Sequence, residues 1–299
     1  MRGTVVIPAR RESNNTRLAG VGLRLAHLAE VAAGAPNVNW LEVHPENFIT
    51  NPHARELLIN VAERHPVSLH SVGLSVGSAE GVDHEHLERI AGLIEDVDPI
   101  LVSGHLAWST HRGVYLNDLL PLPYNEETLR VVSAHIHEVH EFLGHPYLVE
   151  NPASYVGFAC STLEEAEFLA ELVARTDCRL LCDVSNVYLS AANMGYDANA
   201  YIDAFPAHAV AEIHLGGFLI ETDDATPGGE ILIDTHSSSI ADPVWELYAR
   251  ALRRFGPRPT LIEWDNELPS FARLLAEASR ADAVATTALG QGHLNAIVG

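Results

Sequence analysis

The sequence predicts an α/β fold, a single closed (β/α)8 barrel (a TIM barrel), and three observations carry that prediction. Short Val/Ile/Leu-rich runs recur from end to end, continuous rather than alternating, as parallel strands buried on both faces require. Longer amphipathic stretches separate them, as crossover helices do. Eight such units fit a chain of 299 residues, where this architecture typically takes roughly 250. A doubly wound open sheet is the alternative. It calls for a glycine phosphate fingerprint after an early strand, and GVGLRL contains no G-x-G-x-x-G.

The first strand is read at 20–25 (GVGLRL), followed by the helix AHLAEVAAG and a Gly-Ala-Pro stop. The second, 40–48 (WLEVHPENF), precedes a helix near 53–64, and the third, 66–74 (PVSLHSVGL), a helix near 84–95. The fourth, 99–108 (PILVSGHLAW), leads to a long helix around 125–143. The fifth, 146–154 (PYLVENPAS), is followed by STLEEAEFLAELVAR, whose Ser-Thr-Leu-Glu-Glu opening suits a helix N-cap. Strands at 178–187, 209–217 and 258–267 and a final helix at 268–282 complete the series. No linker, repeat or low-complexity segment interrupts it. One domain is therefore expected over 1–299, with an N-terminal arm at 1–16 and a C-terminal tail at 283–299.

Composition narrows the partners. Lys+Arg total 18 against Asp+Glu 40, a net charge of −22, which repels phosphate backbones and anionic lipid. Nucleic acid and membrane are not expected as partners, and a neutral or cationic peptide or small molecule is favoured. Cys160, Cys178 and Cys182 form no CxxC pair and are read as reduced core residues. No segment approaches the roughly 20 apolar residues that span a bilayer, and the apolar run near the N-terminus is too short for a signal-peptide core. A cytoplasmic location is expected.

In a barrel of this kind the functional groups gather at the C-terminal ends of the strands. There the sequence places His70, His105, Glu150 with Asn151, Asp183 with Asn186, His214 and Glu263, and the loop IDTH before the last strand adds Asp234 and His236. Any one of these reads as a cap or a satisfied polar residue. Together they are imidazoles, carboxylates and amides with almost no Lys or Arg among them, and converging carboxylates are costly without a cation. Metal ions supply that charge. With no thiolate in the set, Fe, Mn or catalytic Zn suits it, and the ligands suffice for two or three ions bridged by a carboxylate such as Glu150. His44, Glu46 and Asn47 also lie at a strand end and are candidate substrate contacts, as is Asn151. His137 and His140 sit mid-helix and read as a solvated face; Gly73, Gly77, Gly216 and Gly217 read as backbone geometry.

The segments EVHPENF, SLHSVGLSVGS, HLAWS, LLPLPY, VENPASY, CDVSNVY, DTH and PTLIEWD run in that order through a stretch from about Gly20 to Glu277. They resemble the signature segments of the multinuclear non-haem iron-dependent oxidative enzymes, which include the methanobactin-, bufferin- and thiaglutamate-maturing enzymes. The resemblance implies a xylose-isomerase-like barrel with two or three irons in mixed Fe(II)/Fe(III) states. It implies oxidation of a ribosomally made precursor peptide by dioxygen, at cysteine or in some relatives at Asp or Asn, and a small partner protein that binds the peptide's leader. Carried over by motif, His70, His105 and Glu150 hold one iron and form the catalytic group. Glu150 bridges to a second iron completed by Asp183, His214 and Glu263, and Asn186, Asp234 and His236 bind a third. Gly104 and Ser71 depart from the pattern, where relatives usually carry an acidic residue and glycine. The rival functions are a metal-dependent hydrolase acting on nucleic acid, which the charge opposes, a sugar isomerase of the same barrel superfamily, and a metal-storing or peptide-binding protein without chemistry.

Overall fold

Apolar runs too short to be helices bury both faces by pairing edge to edge and closing on themselves. In a computed structural model of the chain, which describes residues 17–34, 36–223 and 229–295, eight parallel strands do this. They are β1 (Ala19–Gly22), β2 (Leu41–Val43), β3 (Val67–Ser71), β4 (Leu101–His105), β7 (Tyr147–Glu150), β8 (Arg179–Asp183), β9 (Val210–Gly216) and β12 (Thr260–Glu263). Sequence order is kept around the ring, and β1 closes it between β2 and β12. The remaining strands form two antiparallel ribbons, β5 (Trp108–His111) with β6 (Val114–Leu120), and β10 (Phe218–Asp223) with β11 (Gly229–Asp234).

Helices cover the outside: α1 (Leu25–Ala33), α2 (Glu46–Ile49), α3 (Pro52–Ala62), α4 (His84–Val97), α5 (Glu126–Leu143), α6 (Glu165–Thr176), α7 (Val184–Met194), α8 (Ala198–Ala204), α9 (Asp242–Phe255) and α10 (Phe271–Asn295). Their starts are written locally. Asn51, Asp83 and Asn125 accept from the backbone N–H three residues on, and Glu164 with Glu167 forms a capping box on α6.

Strand parity separates two interiors. Leu69, Val102, Val149, Cys182, Ile213, Leu215 and Ile262 point outward into the main core beneath the helices. Leu101, Leu148 and Leu181 form a small separate cluster, the apolar plug of the barrel's own interior. Above that plug the inward positions turn polar: Glu42, Ser68, Ser103 and Glu212 are fully buried.

Several boundaries differ from the sequence reading. The run 178–187 is a strand only to Asp183, because the Asp183 side chain caps α7 at that point, and Asn186 lies in the first turn of a helix. The IDTH stretch is not a loop throughout, since residues up to Asp234 pair with β10. Both ribbons went unread. The tail expected from 283 is largely helix: α10 runs to Asn295, kinked at Gly290, because Ala281, Val284, Ala285 and Ala288 continue the stripe that packs on the core. The N-terminal arm at 1–16 lies outside the described residues.

Candidate metal centre

Parallel register brings two pairs of candidate ligands side by side. His105 pairs with Glu150, and Asp183 with His214, so these side chains leave neighbouring strands side by side. His70 pairs with Ser103, two residues below His105, which reflects the barrel's stagger.

The tightest group is a triangle. His70 Nε2 lies 3.3 Å from His105 Nε2 and 3.3 Å from Glu150 Oε2, and His105 Nε2 lies 3.4 Å from the same oxygen. Ligands held at about 2.05 Å from one ion at tetrahedral angles stand about 3.3 Å apart. The three atoms therefore form a ready-made coordination face. Ser103 Oγ, 2.8 Å from His70 Nδ1, accepts from that nitrogen in the tautomer that leaves Nε2 bare.

The second group is Glu150, Asp183 and His214, whose ligand atoms lie within 4.8 Å of one another. His214 Nδ1 is 3.0 Å from Glu263 Oε2 and 4.0 Å from Glu150 Oε1. Asp183 divides its oxygens: Oδ1 accepts from Asn186 N at 2.8 Å as the cap of α7, while Oδ2 is buried without a partner. One residue thus serves both as helix cap and as candidate ligand.

The third group holds His236, 2.8 Å from Asp234 Oδ1 through Nε2. His236 Nδ1 faces Asp265 Oδ2 at 3.2 Å, and its ring also comes within reach of Asp183 and Glu263. The second and third sets therefore overlap more than the motif partition implied. Asn186 joins them: its Nδ2 donates to Asn151 O at 3.2 Å and its buried Oδ1 has no partner. His236 sits at φ 45°, with its carbonyl accepting from Asp265 N and Asn266 N. Gly216 makes room for the ring, since a Cβ there would lie 2.3 Å from His236 Cδ2.

The electrostatics suit cations. Burial, aided by the His105 and His214 rings, holds His70 well below the ordinary imidazole value, and burial brings His105 down to about 4, so both are neutral and free to act as ligands. Burial lifts Glu150 well above the usual carboxylate range and Asp183 to about 7. Burial alone would depress His214 and His236, but Glu42 and Glu263 around the first, and Asp234 and Glu263 around the second, hold both well above 6.5. Those protons stand where a metal ion would serve better. The donors fit such ions: Glu150 Oε2, Asp183 Oδ2 and Asn186 Oδ1 are buried atoms without a hydrogen-bond partner. Each costs about 1–3 kcal/mol if left so.

The candidate substrate contacts fall into different places. His44 faces the mouth, its Nε2 3.7 Å from Glu263 Oε1. Glu46 instead staples the loop after β3: its Oε1 accepts from Ser71 Oγ at 2.7 Å and Gly73 N at 3.0 Å and lies 3.0 Å from His86 Nε2. Burial would raise this carboxyl, yet the hydrogen bonds from His86 and Ser71 hold it at about 2. Asn47 is half-buried in α2, its backbone N–H on His44 O. The Asn151 amide is spent on the Asp183 backbone, donating to its carbonyl and accepting from its N–H, both at 3.0 Å. Both departures from the motif have local reasons. A Cβ at Gly104 would lie 2.1 Å from the Tyr147 hydroxyl, and Ser71 supplies the Glu46 bond.

Sequence reasoning missed Glu42 and Glu212, each 3.5 Å from His214 Nε2, and Asp265 and Arg24 beside Glu263. A signal existed. Glu42-Val-His44, Glu212-Ile-His214 and Glu263-Trp-Asp265 each repeat an ionisable residue at the two-residue interval that keeps one strand face.

Residues 18–286 match the model of a family described as RiPP precursor modification enzyme MbnB/TglH/ChrH. A UPF0276 protein of Vibrio parahaemolyticus is 49% identical over 265 residues, covering 88% of this chain and 91% of that protein. A UPF0276 protein of Caulobacter vibrioides is 45% identical over 278 residues, covering 92% and 97%. Among solved structures, a xylose isomerase-like TIM barrel protein from Mycobacterium smegmatis in complex with magnesium aligns with TM-score 0.60 at 11% identity, over 94% of this chain and 100% of that one. Endonuclease IV from Thermus thermophilus aligns with TM-score 0.55 at 16% identity, over 91% and 99%. At such identities the likeness is one of fold, a xylose-isomerase-like barrel.

Proposed function

The chain belongs to the MbnB/TglH/ChrH family of RiPP precursor modification enzymes, and from that premise we propose that it is a multinuclear iron-dependent enzyme that oxidises a side chain of a ribosomally made precursor peptide with dioxygen. Cysteine is the residue it is proposed to modify. The observation that carries the proposal is the triangle of His70 Nε2, His105 Nε2 and Glu150 Oε2 at coordination spacing, adjoining Asp183, His214, Asn186, Asp234, His236 and Glu263. Iron bound by these residues would supply one-electron redox chemistry toward dioxygen.

The chain's own residues do the rest. Glu150 reaches His70 and His105 with one oxygen and His214 with the other, which makes it the proposed bridge between two ions. Ser103 fixes the His70 ring and Asp265 the His236 ring, so that each presents Nε2 inward. Asn151 binds the Asp183 backbone and so sets the height of that carboxylate. His44, at the rim, is proposed to meet the substrate. The ribbons carry exposed Val114, Tyr115, Leu219 and Ile220, apolar surface suited to an extended peptide. With a net charge of −22, a cationic leader, delivered by a small leader-binding partner protein, is the favoured match.

The test is oxygen uptake by protein loaded anaerobically with ferrous iron, given a cysteine-bearing precursor peptide together with its leader-binding partner. The expected result is at least two irons per chain and uptake that requires the peptide. Fully loaded iron protein that consumes no peptide-dependent oxygen, or a protein active in hydrolysis with zinc, overturns the proposal.

A further inference from the structure

The mouth contains a cation of its own. Gly20, Gly22 and Arg24 share the inward face of β1 and its extension, and with no side chain at Gly22 the Arg24 guanidinium folds back over it. A Cβ at Gly22 would lie 3.0 Å from Arg24 Cζ. The side chain is 7% exposed. Its Nε donates to Asp265 Oδ1, and its Nη2 lies 3.4 Å from Glu263 Oε1. Nη1 is buried without a partner, so this guanidinium is placed for its charge more than for a full set of hydrogen bonds.

Those same two carboxylates, with His44, offer ligand atoms within 4.8 Å of one another, the spacing of a further metal site. A guanidinium and a divalent ion are alternatives for that trio. They differ in what they do to the centre beside it. Arg24 engages Glu263 through Oε1 and Asp265 through Oδ1, which leaves Glu263 Oε2 at 3.0 Å from His214 Nδ1 and Asp265 Oδ2 at 3.2 Å from His236 Nδ1. A small ion with no directional preference could draw both oxygens of each carboxylate toward itself and loosen the two histidines.

We propose that Arg24 is a built-in cation that takes the place of an additional metal ion between His44, Glu263 and Asp265, and thereby keeps Glu263 Oε2 and His236 turned toward the metal cluster. It is a positioning residue. It acts through Glu263 and Asp265 and needs no contact with substrate. The inference rests on the mouth being a metal centre, but not on which metal works there or on the reaction.

The experiment counts ions. Apo wild type and Arg24→Met are saturated with Mn(II), desalted and analysed for metal, and crystals are examined by anomalous scattering. The expected result is one more ion per chain in R24M than in wild type, located between His44, Glu263 and Asp265. The double variant R24M/H44A returns to the wild-type count, and Arg24→Lys, which keeps the charge, never exceeds it. Should R24M fail to fold, Arg24→Gln removes the charge with a polar side chain and carries the same expectation. An ion pair that merely ties β1 to β12 predicts an unchanged or lower count in the uncharged variants, and that result overturns the proposal. Wild type that binds no divalent ion at all would instead overturn the metal-centre reading beneath it.

Discussion

One methyl group at Gly216 should displace a single ligand of the centre and leave the others in place. A Cβ on Gly216 falls 2.3 Å from His236 Cδ2 and 2.7 Å from its Nε2, where carbon contacts settle at about 3.5–4.0 Å. Relief requires a movement on the order of 1 Å. Gly216 cannot supply it easily, because Ser185 Oγ accepts from its N–H at 2.8 Å and donates to its carbonyl at 3.0 Å. The imidazole must therefore move, against the Asp265 contact and the two backbone bonds on the His236 carbonyl. Such overpacking costs about 1–3 kcal/mol of stability. A ligand needs to be within about 0.5 Å of its productive position, so the ion held by His236 should bind roughly 10–100-fold more weakly. The His70, His105 and Glu150 triangle contains no atom that has to move. Anaerobic titration of the apo protein with Fe(II), with the loaded species counted by metal analysis and Mössbauer spectroscopy, resolves the two. A Gly216→Ala protein that binds every ion as tightly as wild type would refute the steric reasoning, and equal weakening of all ions would refute the separation of the sites.

Removing the proposed bridge with Glu150→Ala should lower metal content by more than one ion per chain; full stoichiometry would contradict the shared role. Asn186→Ala deletes an unpartnered buried oxygen and should cost only the most weakly held ion, so loss of all metal would show that the sets are not separable. Away from the centre, burial lifts Glu165 from its ordinary 4.5 to about 7, although the Tyr124 hydroxyl donates to it at 3.0 Å. The folded chain then binds more protons than the unfolded one between those values, so stability should fall as pH rises through that window, by roughly 3 kcal/mol at most. Urea denaturation in chelator from pH 5 to 8 should show a downward slope to which the buried Asp183 also contributes, and Glu165→Gln should make it shallower by Glu165's share; an unchanged slope in the variant removes Glu165 as a source.

The barrel was legible because its strands are buried on both faces and its helices on one, which leaves two distinct hydrophobic textures in the chain. The cluster of imidazoles and carboxylates was legible because strand ends in such a barrel converge. The ribbons were not, since Tyr115 and Ile220 lie on largely exposed strands whose pairing is set by contacts above the barrel. The inner layer escaped for another reason. Glu42 and Glu212 lie inside apolar runs, where an acid reads as an interruption unless the inward parity of its neighbour two residues on is followed. Arg24 was hidden by a conformation: nothing in GVGLRL announces a guanidinium folded back over a glycine. Glu46 and Asn151 sit where substrate contacts were expected, yet their hydrogen bonds go to the scaffold.

Cys160 is exposed and not in the core, against the sequence reading, but the one-residue step between Cys182 and Asp183 shields the thiol nearest the mouth. While the carboxylate enters the mouth, the thiol behind it is sealed among aliphatic side chains on the far side of the strand, where burial and the neighbouring acids keep it protonated. On the proposed chemistry, an oxidant made for a guest's thiol finds no host thiolate on that strand to consume it, because strand geometry turns Cys182 away from the mouth and burial keeps it protonated.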